Sequence, residues 1–67
     1  MENTEELKMV ERAENALIKY SIEKEGHILV YDAPEAILTN LLDDLMTYCA
    51  QRNVDFGKCL RLARERV

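Results

Sequence analysis

The sequence has no tryptophan, one phenylalanine, one proline, one histidine, two glycines and two cysteines in 67 residues. Each scarcity excludes a class of chemistry. Two glycines cannot make the glycine-rich loop that cradles phosphates. The one histidine, His27, stands beside Gly26 with no serine or cysteine placed near it in sequence as an evident nucleophile, so no catalytic constellation is legible and the chain reads as non-enzymatic. His27, Cys49 and Cys59 give at most three soft metal ligands, at spacings unlike any zinc motif. Two cysteines are too few for a disulfide framework. Both fall on apolar helix faces, which predicts buried, reduced thiols and a cytoplasmic setting. No apolar run reaches the roughly 18–20 residues of a membrane span. The acidic, polar start MENTEELK has neither the pattern of a secretory signal nor that of a transit peptide. Neither metal nor cofactor is expected.

What is present reads as an ordered chain: 48% apolar, 33% charged, net charge −4. That charge is too mild for a DNA mimic or an acidic tail. Residues 1–67 make one domain. A chain this short buries about 60% of its unfolded surface, which leaves a marginal core. It lacks the disulfides or metals that staple small domains, so self-association is a reasonable way to bury more.

The organising stretch is residues 32–52, DAPEAILTNLLDDLMTYCAQR. Asp32 is placed as an N-cap with Glu35 at capping-box spacing, and Pro34 falls in the first turn. At 100° per residue, Ile37, Leu38, Leu41, Leu42, Leu45, Met46, Tyr48 and Cys49 fill an arc of roughly half the circumference. An arc this wide calls for at least two covering neighbours. Thr39, Asn40, Asp43, Asp44, Thr47 and Gln51 fill the solvated half. Adjacent Asp43 and Asp44 diverge on a helix, which suits solvent better than a shared metal. Asn53 is placed to end the helix in the left-handed conformation.

Before it, Asn3 or Thr4 can cap a first helix over about residues 4–20. Leu7, Met9, Val10, Ala13, Ala16, Leu17, Ile18 and Tyr20 lie on one side; Glu11, Arg12, Asn15 and Lys19 lie on the other. Glu14 sits inside the apolar arc, either as an edge residue reaching solvent or as a buried partner for an arginine. Ile22 falls off the face, which places the helix end near Tyr20 or Ser21. Residues 27–31, HILVY, are β-rich. They form either a hairpin with residues 20–22, an extended connector whose Ile28 and Val30 plug the core, or an intermolecular ladder about a two-fold axis. After the central helix, Asp55 caps a third helix over about residues 55–66, with Val54 and Cys59 at staple spacing. Phe56, Cys59, Leu60, Ala63 and Val67 make its stripe. The expected fold is a compact, mainly α domain: three helices with a short extended or β segment at about residues 27–31 between the first two.

Two features point toward partners. The apolar surplus exceeds what so small a chain can hide, and Met1, Met9, Ile18, Tyr48 and Leu62 lie at arc boundaries as interface candidates. The third helix is basic, through Lys58, Arg61, Arg64 and Arg66. Lys58, Arg61 and Arg64 are the contacts a nucleic-acid reading would use. The long preceding helix, the glycine-free turn and the acidic first half weigh against that reading. The same asymmetry can pair two chains.

The segment LLDDLMTYCAQRNVDFGKCLRLARE, through Leu41, Leu42, Asp44, Leu45, Tyr48, Cys49, Asp55, Phe56, Leu60 and Ala63, resembles short helical proteins of bacteria and their phages. Those carry a leucine-rich helix, a D-F turn and a last helix. The resemblance implies no enzymatic activity. By analogy it implies an accessory protein that binds and modulates a host protein. The expectation is thus a homodimeric, cytoplasmic protein–protein interaction module, with a nucleic-acid-binding regulator as the alternative.

Overall fold

The computed structural model describes residues 4–66; Met1, Asn3 and Val67 lie outside the described residues. Three helices follow one another: α1 (Thr4–Glu25), α2 (Pro34–Arg52) and α3 (Phe56–Glu65). α1 packs on α2 and α2 on α3, while α1 and α3 do not meet among the described residues.

α1 runs to Glu25, past the end expected near Tyr20 or Ser21. Ile22 does leave the packed face, but nothing there breaks a helix. The break comes at Gly26, whose φ of +84° is the left-handed conformation that ends helices, and whose N–H donates to Ile22 O at 2.8 Å. Ser21, not an aliphatic residue, is the fully buried group of α1. Its Oγ donates to His27 O (2.7 Å) and accepts from Leu29 N (2.8 Å), so one hydroxyl ties the following loop back onto the helix.

That loop is not a strand. Residues 20–22 are helical, which removes the hairpin, and no strand occurs among the described residues. Residues 26–29 form a bend and coil; residues 30–32 form a turn in which Leu29 O accepts from Asp32 N and Ala33 N. β-branched side chains set a preference here, but without a partner strand the backbone closes locally. The extended segment expected at residues 27–31 is thus not found; Val30 is buried in the core, whereas Ile28 remains exposed.

α2 is unbroken from end to end. Its cap differs from the expected one. Pro34 opens the helix, so the cap position falls on Ala33, which has no side-chain acceptor, and Asp32 lies in the preceding turn. A residue before proline is kept out of the helical region, and Ala33 is non-helical at φ −142°, ψ 62°. Ala33 O accepts from Ile37 N at 3.1 Å, the first bond of the helix. The far end matches its sequence: Asn53 is left-handed (φ 59°, ψ 38°), and the Asn53 and Val54 amides both donate to Cys49 O. Asp55 then caps α3, accepting from Lys58 N at 2.9 Å.

The molecule is a plate, 38 × 34 × 15 Å, with a radius of gyration of 13.7 Å. A compact chain of this length would have about 11 Å. A helix with its side chains is about 10–12 Å across, so the plate is little more than one helix thick. Its core is small: Val30, Ile37 and Cys49, with Ser21.

Candidate interaction surface

The wide apolar arc of α2 is only partly covered. α1 lies along one edge, where Ile37 is buried and Asn40 and Leu41 are half-buried. At that edge Tyr20 Oη donates to Asp44 Oδ2 at 2.6 Å. Asp44 is exposed, as its place on the solvated half suggested, and its carboxylate also reaches across to α1. Tyr20 has its pKa pushed up to about 12, first by partial loss of water around the phenol, then by the bond to Asp44 and the charges of Asp44, Asp43 and Glu25. At the C-terminal end Cys49 is buried. Between edge and end, Leu38, Leu42, Leu45 and Met46 are 39–54% exposed. On the wheel these four share one arc of about 100°. The chain's own neighbours thus leave bare these four of the residues that the sequence assigned to the core.

α3 shows the same pattern. Phe56 is half-buried where the helix leaves α2, but Cys59, Leu60, Leu62 and Ala63 are exposed. The expectation that both thiols are buried holds for Cys49 and fails for Cys59, because nothing packs against the outer two turns of α3. Val54 is exposed as well. An open depression along α3, bordered by Cys59, Leu62, Ala63, Glu65 and Arg66, is too shallow to enclose a ligand.

The accessible surface is 5880 Å². A compact protein of 7.8 kDa would expose about 4,400 Å². The excess, about 1,500 Å² per chain, exceeds the roughly 800 Å² that each partner buries in a standard interface.

Four of the five interface residues expected from arc boundaries are described, and they are not one patch. Met9 on α1, Tyr48 on α2 and Leu62 on α3 are exposed, and Ile18 on α1 is half-buried. They sit on three helices, of which α1 and α3 do not touch. Tyr48 is engaged by the Arg52 guanidinium, 5.9 Å from its ring centre. The exposed apolar face that does form, Leu38–Leu42–Leu45–Met46, was not among those candidates. Its signal was the arc width, which demanded more cover than one short loop and two helices supply.

Lys58, Arg61 and Arg64 are exposed on α3 at three-residue spacing, Lys58 and Arg61 opposite its apolar stripe and Arg64 at the stripe's flank. Glu14 is half-buried and meets the Tyr31 hydroxyl, not an arginine. Tyr31 has its pKa raised by local loss of water and by Glu14. Arg12 pairs with Glu5 at 3.3 Å, with both side chains well exposed, a contact of small worth. No group of three or more His, Cys, Asp or Glu able to hold a metal occurs among the described residues. No described helix is long and apolar enough to cross a membrane.

Comparison with protein families, with curated proteins and with solved structures finds no match to this chain.

Proposed function

We propose that the chain acts by protein–protein association without catalysis: a small accessory or inhibitory module that self-associates as a homodimer and occludes part of a host protein. One observation carries this reading, the bare apolar face of α2. Leu38, Leu42, Leu45 and Met46 lie in water, on a chain with about 1,500 Å² more surface than its mass requires. Monomers rarely expose contiguous apolar patches beyond a few hundred Å². The resemblance of residues 41–65 to short bacterial and phage proteins supports a host protein as the second partner. The two free thiols fit a cytoplasmic setting.

The test is quantitative capture of host proteins by the wild type, by Leu38→Asp/Leu42→Asp and by Lys58→Ala/Arg61→Ala, each first checked for helicity. Capture lost in the leucine variant and kept in the basic-face variant supports the reading. The reverse pattern defeats it.

A second reading has its own observation: α3 carries four exposed cations, Lys58, Arg61, Arg64 and Arg66, against one anion, Glu65. Binding to duplex DNA or RNA through this helix would weaken with salt at a slope of about −0.9 for each phosphate neutralised. The acidic remainder of the chain opposes it. A salt-insensitive or absent signal at low ionic strength removes this second reading.

A further inference from the structure

We infer that the bare face of α2 is covered by α3 of a second copy of this chain, each copy lending its α3 to the other about a two-fold axis. The inference rests on the self-association proposed above and names the surfaces that meet.

Two unpartnered apolar stripes coexist in one chain. One is Leu38–Leu42–Leu45–Met46 on α2, and the other is Cys59–Leu60–Ala63 on α3. Had α3 folded back along its own α2, both would be covered. It does not, because the left-handed turn at Asn53 and the cap at Asp55 direct α3 away, and of its residues Phe56 alone is half-buried, at the junction. The bare face of α2 is long enough to seat α3: residues 38–46 rise about 12 Å along α2, and the whole ten-residue α3 spans about 15 Å. An element that leaves its own domain by a short hinge, with its apolar side free, is suited to exchange between identical copies.

Charge favours the same occupant. Residues 56–66 carry four cations and one anion, net +3, while residues 4–55 carry five cations and eleven anions, net −6. On the wheels, Arg64 and Arg66 flank the apolar stripe of α3, while Glu35 lies in line with the α2 leucines about one turn before them and Asp43 lies on their flank, where no described cation occurs before Arg52. Running α3 antiparallel to the partner's α2 sets Cys59 and Leu60 against the middle of the leucine face. The same direction brings Arg64 and Arg66 toward its acidic start. Two such seats bury surface twice per dimer. The surplus of about 1,500 Å² per chain allows a total near 3,000 Å², in the range of permanent homodimers.

The test uses full-length copies carrying one cysteine each. One is Cys49→Ala, which keeps Cys59; the other is Cys49→Ala/Cys59→Ala/Leu42→Cys. Both are checked for wild-type helicity and, by sedimentation, for wild-type mass. They are mixed, equilibrated and treated with a short bis-maleimide. The exchange predicts that the hetero-linked product, position 42 to position 59, exceeds either homo-linked product severalfold. Arg64→Glu/Arg66→Glu should weaken the dimer about tenfold, and Glu35→Arg/Asp43→Arg in the other copy should recover much of that. A dimer by mass that links chiefly 42 to 42 overturns the exchange in favour of α2 packing on α2, and leaves self-association standing. A dimer that links chiefly 59 to 59 overturns it equally. A monomeric mass with wild-type helicity overturns both. Should the Leu42→Cys copy fail to fold, Met46→Cys replaces it with the same expected pattern.

Discussion

Ser21→Ala removes a donor and an acceptor from the only fully buried polar side chain among the described residues. In the wild type the hydroxyl receives the Leu29 amide at 2.8 Å and gives its proton to the His27 carbonyl at 2.7 Å. His27 is exposed, so its carbonyl can turn to water at little cost; Leu29 is half-buried, and its N–H loses its partner where water is scarce. An orphaned buried group costs about 1–3 kcal/mol. Adding a small loss for the hydrated carbonyl gives an expected destabilisation of about 2 kcal/mol. For a domain of this size 1 kcal/mol moves the midpoint by about 4–8 °C, so the melting temperature should fall by about 8–16 °C. Helix circular dichroism during thermal and urea unfolding reads this, with wild type and variant at equal protein concentration because any association adds to stability. Amide exchange at Leu29 should accelerate more than exchange in the middle of α2. A loss below about 0.5 kcal/mol, or an unchanged Leu29 amide, refutes the claim that this hydroxyl fastens the loop.

The two glycines should respond with opposite signs. Gly26 sits at φ +84° with open space where a Cβ would go, so Gly26→Ala costs about 1–2 kcal/mol through backbone strain alone. Gly57 lies inside α3 at an ordinary φ, and its Cβ would meet only Asp55 Oδ1 at 3.5 Å, so Gly57→Ala should stabilise by about 0.4–1 kcal/mol; urea midpoints decide both. Tyr20 should titrate near pH 12, read as phenolate absorbance, and Tyr20→Phe should delete that step. Because its folded pKa lies above the unfolded value of 10.0, its contribution to stability is complete below pH 10 and is lost as pH rises from there through 12; Asp44→Asn should lower the step. Asp55→Ala should cost about 1 kcal/mol of α3 stability, seen as lost helicity at the C-terminal end, since the Lys58 amide loses its cap.

Much of the local structure was legible because it depends on single residues with strong preferences. Asn53 and Asp55 bracket the second turn through their own side-chain and backbone habits, and the apolar period of α2 is unbroken in sequence and in space. Elsewhere a local preference lost to its surroundings. Asp32 and Glu35 have capping-box spacing, but Pro34 moved the cap onto Ala33. HILVY favours a strand, but residues 20–22, its nearest partner, stay helical until Gly26. Ser21 was invisible as a core residue because a hydroxyl is buried only where its two hydrogen bonds are already in place, and those come from a loop whose path the sequence does not show. The interaction surface was half legible. The arc of α2 announced that it needs more cover than one neighbour provides, but periodicity cannot say whether that cover comes from the same chain. The leucines that looked like core are the exposed ones, and the arc-boundary residues Met9, Ile18, Tyr48 and Leu62 are scattered over three helices.

The molar mass in solution tests the account at its centre. Sedimentation equilibrium over a wide range of concentration should give twice 7.8 kDa for the wild type, falling to the single-chain mass in Leu42→Asp/Leu45→Asp with helicity retained. A wild type that stays at 7.8 kDa at every concentration, with its leucines in water and no second copy beside them, contradicts it.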